Sequence, residues 1–167
     1  QLAEVVLPDS VATLEGYSFA YCSSLRAAAI GAGTTNIGGS SFAYCTNLTG
    51  ATFGPGLRTI EAYAFYFTAL TEVVIPDGVT WIEPTAFENC YALANLVIGN
   101  GVTNGLWLQF SGYSALTNLV VGDGIPEIPV NAFSGCAQLA QVVVGAGVAS
   151  IGWSAFNNCA ALQGMFF

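Results

Sequence analysis

Residues 18–25 read SFAYCSSL, and residues 41–48, 23 positions later, read SFAYCTNL. A fixed period of about 20 to 50 residues marks a solenoid, propeller or array, in which each unit buries its apolar face only against its neighbours. The period governs the whole chain. Units start at Leu2, Leu25, Leu48, Leu70, Leu93, Leu116, Leu139 and Leu162, every interval being 23 residues except the third, which is 22. This is one repeat domain, residues 1–167, of seven coils and a partial eighth, and it reads as a segment of a longer polypeptide.

Several columns of the repeat are apolar throughout. The fourth residue is Val5, Ala28, Ala51, Val73, Leu96, Leu119, Val142 and Met165, and the sixth is Leu7, Ile30, Phe53, Ile75, Ile98, Val121, Val144 and Phe167. A phenylalanine column runs unbroken through Phe19, Phe42, Phe65, Phe87, Phe110, Phe133 and Phe156. Three residues beyond it stand Cys22, Cys45, Cys90, Cys136 and Cys159, with Phe67 or Tyr113 expected to substitute where cysteine is missing. One interruption is expected to weaken the fifth coil, where Gly105 replaces an Ile and Trp107 could fill the space. The chain is 54% hydrophobic and only 7% charged, but turn residues interrupt every apolar stretch before it reaches the ~18 to 20 residues of a spanning helix. Membrane insertion is not expected.

Within a coil, EVVLP, EVVIP or NLVIG is a short β-branched run closed by Pro or Gly, which predicts a strand and then a turn. Stacked at about 4.8 Å per coil, these strands form one parallel sheet. Gly33, Gly56, Gly78, Gly101, Gly124 and Gly147 follow at the corner, where a positive φ is expected. A second short extended segment such as VTWI comes next, and a stretch such as SAFNNCAAL is expected to form a tight helical or 3₁₀ turn. The fold class is therefore an α/β solenoid with a parallel sheet on one face and short strands and 3₁₀ or helical turns on the others.

The units LTEVVIPDGVTWIEPTAFENCYAL from Leu70 and LAQVVVGAGVASIGWSAFNNCAAL from Leu139 resemble the BspA-like, or treponemal, class of leucine-rich repeat, and the resemblance covers essentially the whole chain. It departs from the general leucine-rich pattern, since Gly or Ser stands where Asn or Cys would close the strand loop. The resemblance implies a right-handed solenoid found in surface and secreted proteins of bacteria and some microbial eukaryotes. Members are often adhesins or interaction modules for host matrix proteins or other cells.

Little in the chain offers catalytic chemistry, and no catalytic residue, metal site or cofactor is expected. Five cysteines without a CxxC pair, and no His at all, give neither a zinc set nor an activated nucleophile. Cys22 with Cys45, and Cys136 with Cys159, are neighbours in stacked coils and could form disulfides, but buried free thiols are the preferred reading. Asp77, Asn100 and Asp123 share one column on consecutive coils, and Glu61 and Glu83 another. Such oxygens could hold calcium, although turn residues in water explain them more simply. Asn47 heads a formal glycosylation sequon, whose middle residue, Leu48, belongs to the core. A formal charge of −8 argues against nucleic acid and anionic membrane surfaces as partners.

Surface remains. The fifth residue of each unit, Val6, Ala29, Thr52, Val74, Val97, Val120, Val143 and Phe166, falls between two core positions and should point outward from the sheet. Contiguous exposed apolar patches mark contacts. Val74, Val97, Val120 and Val143 are thus the candidate binding residues, and Tyr17, Tyr63, Trp81 and Trp153 are further aromatics near or off the core columns. The expected function is a non-catalytic extracellular or cell-surface interaction or adhesion module, binding a protein or glycan or assembling with copies of itself. The alternative is a carbohydrate-binding or carbohydrate-active accessory domain of a larger secreted enzyme.

Overall fold

In the computed structural model, which describes residues 2–103 and 110–167, the two extended segments of each coil are strands. In chain order these are β1 (Glu4–Val6), β2 (Thr13–Leu14), β3 (Ala27–Ile30), β4 (Asn36–Ile37), β5 (Gly50–Phe53), β6 (Thr59–Ile60), β7 (Glu72–Ile75), β8 (Trp81–Ile82), β9 (Asn95–Ile98), β10 (Asn118–Val121), β11 (Glu127–Ile128), β12 (Gln141–Val144), β13 (Ser150–Ile151) and β14 (Gly164–Phe166). The longer strands β1, β3, β5, β7, β9, β10, β12 and β14 make the first face of the solenoid. The two-residue strands make the second. All pairing is parallel, and partners lie one repeat apart: Leu119 is opposite both Leu96 and Val142. Across the short unit, Ile60 pairs with Ile82.

The missing residue of the third unit leaves a mark on the first face. There β1-β3-β5 and β7-β9-β10-β12-β14 are separate ladders, and the break falls between β5 and β7. One coil-to-coil bond, from the Thr71 N–H to the Thr49 carbonyl at 3.2 Å, still crosses it.

Inside the coils the apolar columns close on themselves. Leu25, Leu48, Leu70, Leu93, Leu116 and Leu139 are fully buried, as are Phe42, Phe65 and Phe133. Stacked phenylalanine rings lie 5.2 to 5.6 Å apart from Phe19 to Phe87 and again from Phe110 to Phe156, with neighbouring planes within 12° of parallel. A flat ring is the one large apolar group that fits coil after coil at so short a spacing, and stacked pairs add to the area that they bury. The expected substitution of Phe67 into the cysteine column does not occur. Thr68 takes that place and is buried, while Phe67 is exposed.

The third side carries no helix among the described residues, contrary to expectation. The backbone shows why. N–H groups of Tyr17, Phe19 and Tyr21 donate to the carbonyls of Gly39, Ser41 and Ala43 in the next coil, at 3.0, 2.8 and 2.8 Å. Ala20 and Cys22 donate back within the turn, to Tyr17 and Phe19, as do Ser23 and Leu25 at its end, to Tyr21 and Cys22. A helix would consume all these donors internally; alternate donors aimed at the next coil require alternate backbone reversals. These are provided by residues with positive φ, Tyr17 and Tyr21 (both 61°) in the first coil and Ser40 and Tyr44 in the second.

The corner glycines also act differently from expectation. Gly33, Gly56, Gly101, Gly124 and Gly147 are not among the residues of positive φ. Instead, a Cβ at Gly56 would overlap the carbonyl oxygen of Ala32 in the preceding coil, and one at Gly147 that of Asp123. Their requirement is contact between coils, not conformational freedom. Gly105 and Trp107, which bear on the fifth coil, lie outside the described residues.

Two substitutions on the turn side should move stability in opposite directions. Ser41 is fully buried and its hydroxyl has no hydrogen-bond partner; the equivalent Ser18 is bonded to the Glu15 carbonyl, and four other coils have Ala64, Ala86, Ala132 and Ala155 at this place. Ser41→Ala should stabilise the fold by about 1 to 2 kcal/mol, and Phe65→Ala should cost about 3 to 5 kcal/mol. Denaturant midpoints check both, and a destabilised Ser41→Ala would mean that the hydroxyl is bonded after all.

Candidate functional site

The strand alternation places the candidate valines outward. Val73 and Ile75 are buried within β7, while Val74 between them is 48% exposed, and Val143 on β12 is 43% exposed. Val97 and Val120 are partly exposed. Register aligns all four, since Val74 pairs with Val97, Val97 with Val120 and Val120 with Val143. The four side chains therefore form one stripe along the axis, lining a shallow groove with Asp77, Asn100 and Asp123 at one margin. Polar residues hold the other margin, where Asn118 donates its side-chain amide to Asn95 Oδ1 at 2.7 Å. Beyond the break in the sheet Ala29 and Thr52 interrupt the stripe, and Val6 stands apart from it in the first coil.

The acidic corner is structural. Asp77 Oδ1 accepts the N–H of Asn100 at 2.8 Å, Asn100 Oδ1 that of Asp123 at 2.9 Å, and Asp123 Oδ1 that of Ala146 at 2.8 Å. Asp9 does the same for Ala32 at 2.6 Å. Each side chain thus satisfies a backbone donor that the turn would otherwise leave unpaired. Glu61 is occupied as well, its two oxygens accepting from Asn36 Nδ2 at 2.9 Å and the Gly39 N–H at 2.8 Å. Among the described residues no group of three or more His, Cys, Asp or Glu side chains could hold a metal ion. Asn47, the sequon residue, donates its amide to the Ser23 carbonyl at 2.6 Å.

All five cysteines are free, with Cys45, Cys90 and Cys136 buried and Cys22 and Cys159 partly so. Each of the last four thiols donates to the phenylalanine carbonyl one coil back: Cys45 to Phe19, Cys90 to Phe65, Cys136 to Phe110 and Cys159 to Phe133, at 3.1 to 3.2 Å. Tyr113 reaches the equivalent carbonyl of Phe87 with its hydroxyl at 2.8 Å. The column is therefore one small hydrogen-bond donor repeated, and its chemistry is to satisfy a buried carbonyl. Burial pushes the Cys45 and Cys90 thiols up to about 11 and Cys136 to about 12. A thiol so raised is a poor nucleophile at neutral pH.

What the columns did not announce is an aromatic surface on the turn side of the first three coils. Tyr21, Tyr44 and Phe67 stack at 4.9 and 5.6 Å with planes within 10°. Tyr66 meets Tyr44 and Tyr63 edge-on, both at 5.3 Å. The signal was in the quoted octapeptides, whose tyrosine directly precedes the core cysteine and so faces the opposite way.

The BspA type leucine rich repeat region matches residues 1–94 and 58–167, in six copies. The chain belongs to that family. Its fold is similar to the leucine-rich repeat protein of T. pallidum, at 24% identity and a TM-score of 0.80 over 97% of this chain and 78% of that one. It is also similar to a leucine-rich repeat protein of Bacteroides ovatus (20% identity, TM-score 0.55, 96% of this chain and 65% of that one). Pneumococcal vaccine antigen PcpA shares the fold at 16% identity and a TM-score of 0.53, over 99% of this chain and half of that protein. No curated protein sequence matches the chain. Repeats of this family are interaction scaffolds, and no helix among the described residues is long and apolar enough to cross a membrane.

The raised thiols fix the sign of an alkaline effect. Above about pH 9 the unfolded chain loses thiol protons that the folded chain keeps, so stability is full below pH 9 and falls as pH rises toward 11. Cys90 should contribute about 2 to 3 kcal/mol of that loss. Urea midpoints between pH 8 and 11 should therefore fall less steeply for Cys90→Ser, and parallel slopes would remove the thiol from the account.

Proposed function

We propose that this protein is a non-catalytic interaction module working outside the cell, and that it contacts a protein partner through the groove of Val74, Val97, Val120 and Val143. The observation that carries this reading is the register of the stripe. Four branched apolar side chains align over consecutive coils, on a face with polar margins. Such a patch is what an interface core looks like before it is covered. Strand propensity alone favours valine here, but it does not account for Ala29 in the same column of an earlier coil.

The non-catalytic reading rests on what the polar side chains are doing. Cys45, Cys90, Cys136 and Cys159, the corner Asp residues and Glu61 are each bonded to backbone or side-chain groups of adjacent coils. An extracellular site accords with the family and with its fold in a vaccine antigen. The acidic chain, at −8, suits a neutral or basic partner surface and not a polyanion.

The test is the double variant Val97→Glu with Val120→Glu, measured by surface plasmon resonance against a panel of immobilised extracellular matrix proteins and by light scattering for self-association. Binding should fall at least tenfold while the melting curve is retained, because an unpaired charge desolvated in an interface is strongly disfavoured. Ser114→Glu with Gln138→Glu adds the same charge on exposed turn residues and should leave binding unchanged. Unaltered binding by the valine variant would reject the groove as the contact face.

A further inference from the structure

The turn side of the first three coils carries five aromatic residues in a backbone conformation that disfavours them. Tyr17, Tyr21, Tyr44, Tyr63 and Phe67 all have φ between 55° and 61°. Left-handed geometry costs an ordinary L-residue roughly 1 to 2 kcal/mol, and Gly or Asn adopts it most readily. Later coils use small residues, mostly Gly or Asn, in the same two columns: Asn89, Gly112, Gly135 and Asn158 in one, Asn131 and Ser154 in the other. The backbone thus does not ask for aromatics, and their choice in the first three coils needs a reason in what they face.

The rings form two rows. In one, Tyr21, Tyr44 and Phe67 stack without interruption. In the other, Tyr17 and Tyr63 stand two coils apart, about 10 Å at the usual spacing, and Ser40 occupies the coil between them. The result is a slot of about 310 Å³ between the two rows, lined by Tyr17, Tyr63, Tyr21, Tyr44 and Tyr66 above Ser40 and Ala43. Its width is that of one missing ring. Tyr63 is braced edge-on by Tyr66, which is braced in turn by Tyr44, so the wall is in place before a ligand arrives.

We propose that this slot takes an arginine side chain from a basic segment of a protein partner. A guanidinium is planar, stacks on aromatic faces, and placed midway would lie about 5 Å from each flanking ring, inside the ~6 Å reach of a cation–π contact. The lining itself carries no charged side chain, but the chain around it is strongly acidic, with ten Asp and Glu against two Lys and Arg. Glu61 is held beside the slot, its Oε2 on the N–H of Gly39, the residue before Ser40. The chain's own Arg58 is committed elsewhere, donating from Nη1 to the carbonyls of Pro55 and Leu57. A neutral sugar would gain ring stacking but meet only phenol and serine hydroxyls, without the amides and carboxylates that usually fix its orientation, and the chain's charge would do nothing to attract it.

The experiment is an NMR titration of the full chain with an arginine–glycine repeat peptide, with the matching lysine–glycine peptide and a neutral gluco-oligosaccharide as comparisons. The arginine peptide should shift the Tyr17 and Tyr63 ring signals and bind at least fivefold tighter than the lysine peptide. Tyr17→Ala with Tyr63→Ala should weaken it at least tenfold. Ser40→Tyr fills the slot with the residue type already tolerated on either side, and should block binding with the fold intact. The valine-groove variant Val97→Glu with Val120→Glu should bind the peptide as the wild type does, which separates this site from the sheet face. Equal affinity for the lysine peptide, binding that survives Ser40→Tyr, or ring shifts caused by the oligosaccharide and not by the arginine peptide would each overturn the proposal.

Discussion

The distance from one coil to the next decides what every position can hold. Parallel backbone bonds set that spacing near 4.8 Å on all sides of the coil, and they are present on both strand faces and on the turn side. Where two backbones meet with no side chain between, the residue is Gly, as at Gly56 over Ala32. Where a large apolar group is needed, it is a ring lying flat on the ring below. Where a carbonyl points inward, the next coil brings a thiol or hydroxyl to it. Polar groups at the corners obey the same rule, with Asp77, Asn100 and Asp123 each bonding one coil forward.

The repeat made most of this legible. Columns of Leu, Val or Ile and Phe predicted the core of the inner coils, because a side chain with period 23 in a stacked coil meets its own equivalents; in the end coils, which lack a neighbour on one side, Leu2, Ile151 and Phe167 of the same columns are exposed. What the columns could not show is how the backbone uses its donors. SAFNNCAAL has the look of a helical turn until the N–H groups are followed to the neighbouring coil, and only then do the positive φ values of Ser154 and Asn158 make sense. The corner glycines were placed correctly and explained wrongly, since sequence does not distinguish a residue that needs φ > 0 from one that needs the absence of Cβ. Phe67 was misplaced for a simpler reason: a deletion can be put on either side of a turn, and burial gives the place to Thr68.

The same geometry explains why only one of the two proposed surfaces was visible in the sequence. A stripe on a strand follows from alternation, so Val74, Val97, Val120 and Val143 could be read directly. The slot between Tyr17 and Tyr63 depends on a residue that is not aromatic, Ser40, and on turns that send tyrosines outward beside a cysteine that goes in. The two proposed surfaces lie on different sides of one solenoid. Both are built from ladders whose spacing the backbone supplies.

Glycine substitution tests the spacing most directly. At Gly56 an added methyl group would run into the Ala32 backbone, whereas at Gly135, with φ +77°, the nearest atoms stand at 3.6 Å and the equivalent positions accept Tyr21, Tyr44 and Phe67. Urea unfolding of Gly56→Ala and Gly135→Ala should therefore give a loss of about 3 kcal/mol or more for the first and about 1 kcal/mol for the second. Equal losses, or a larger loss at Gly135, would mean that backbone conformation and not the approach of coils governs this fold.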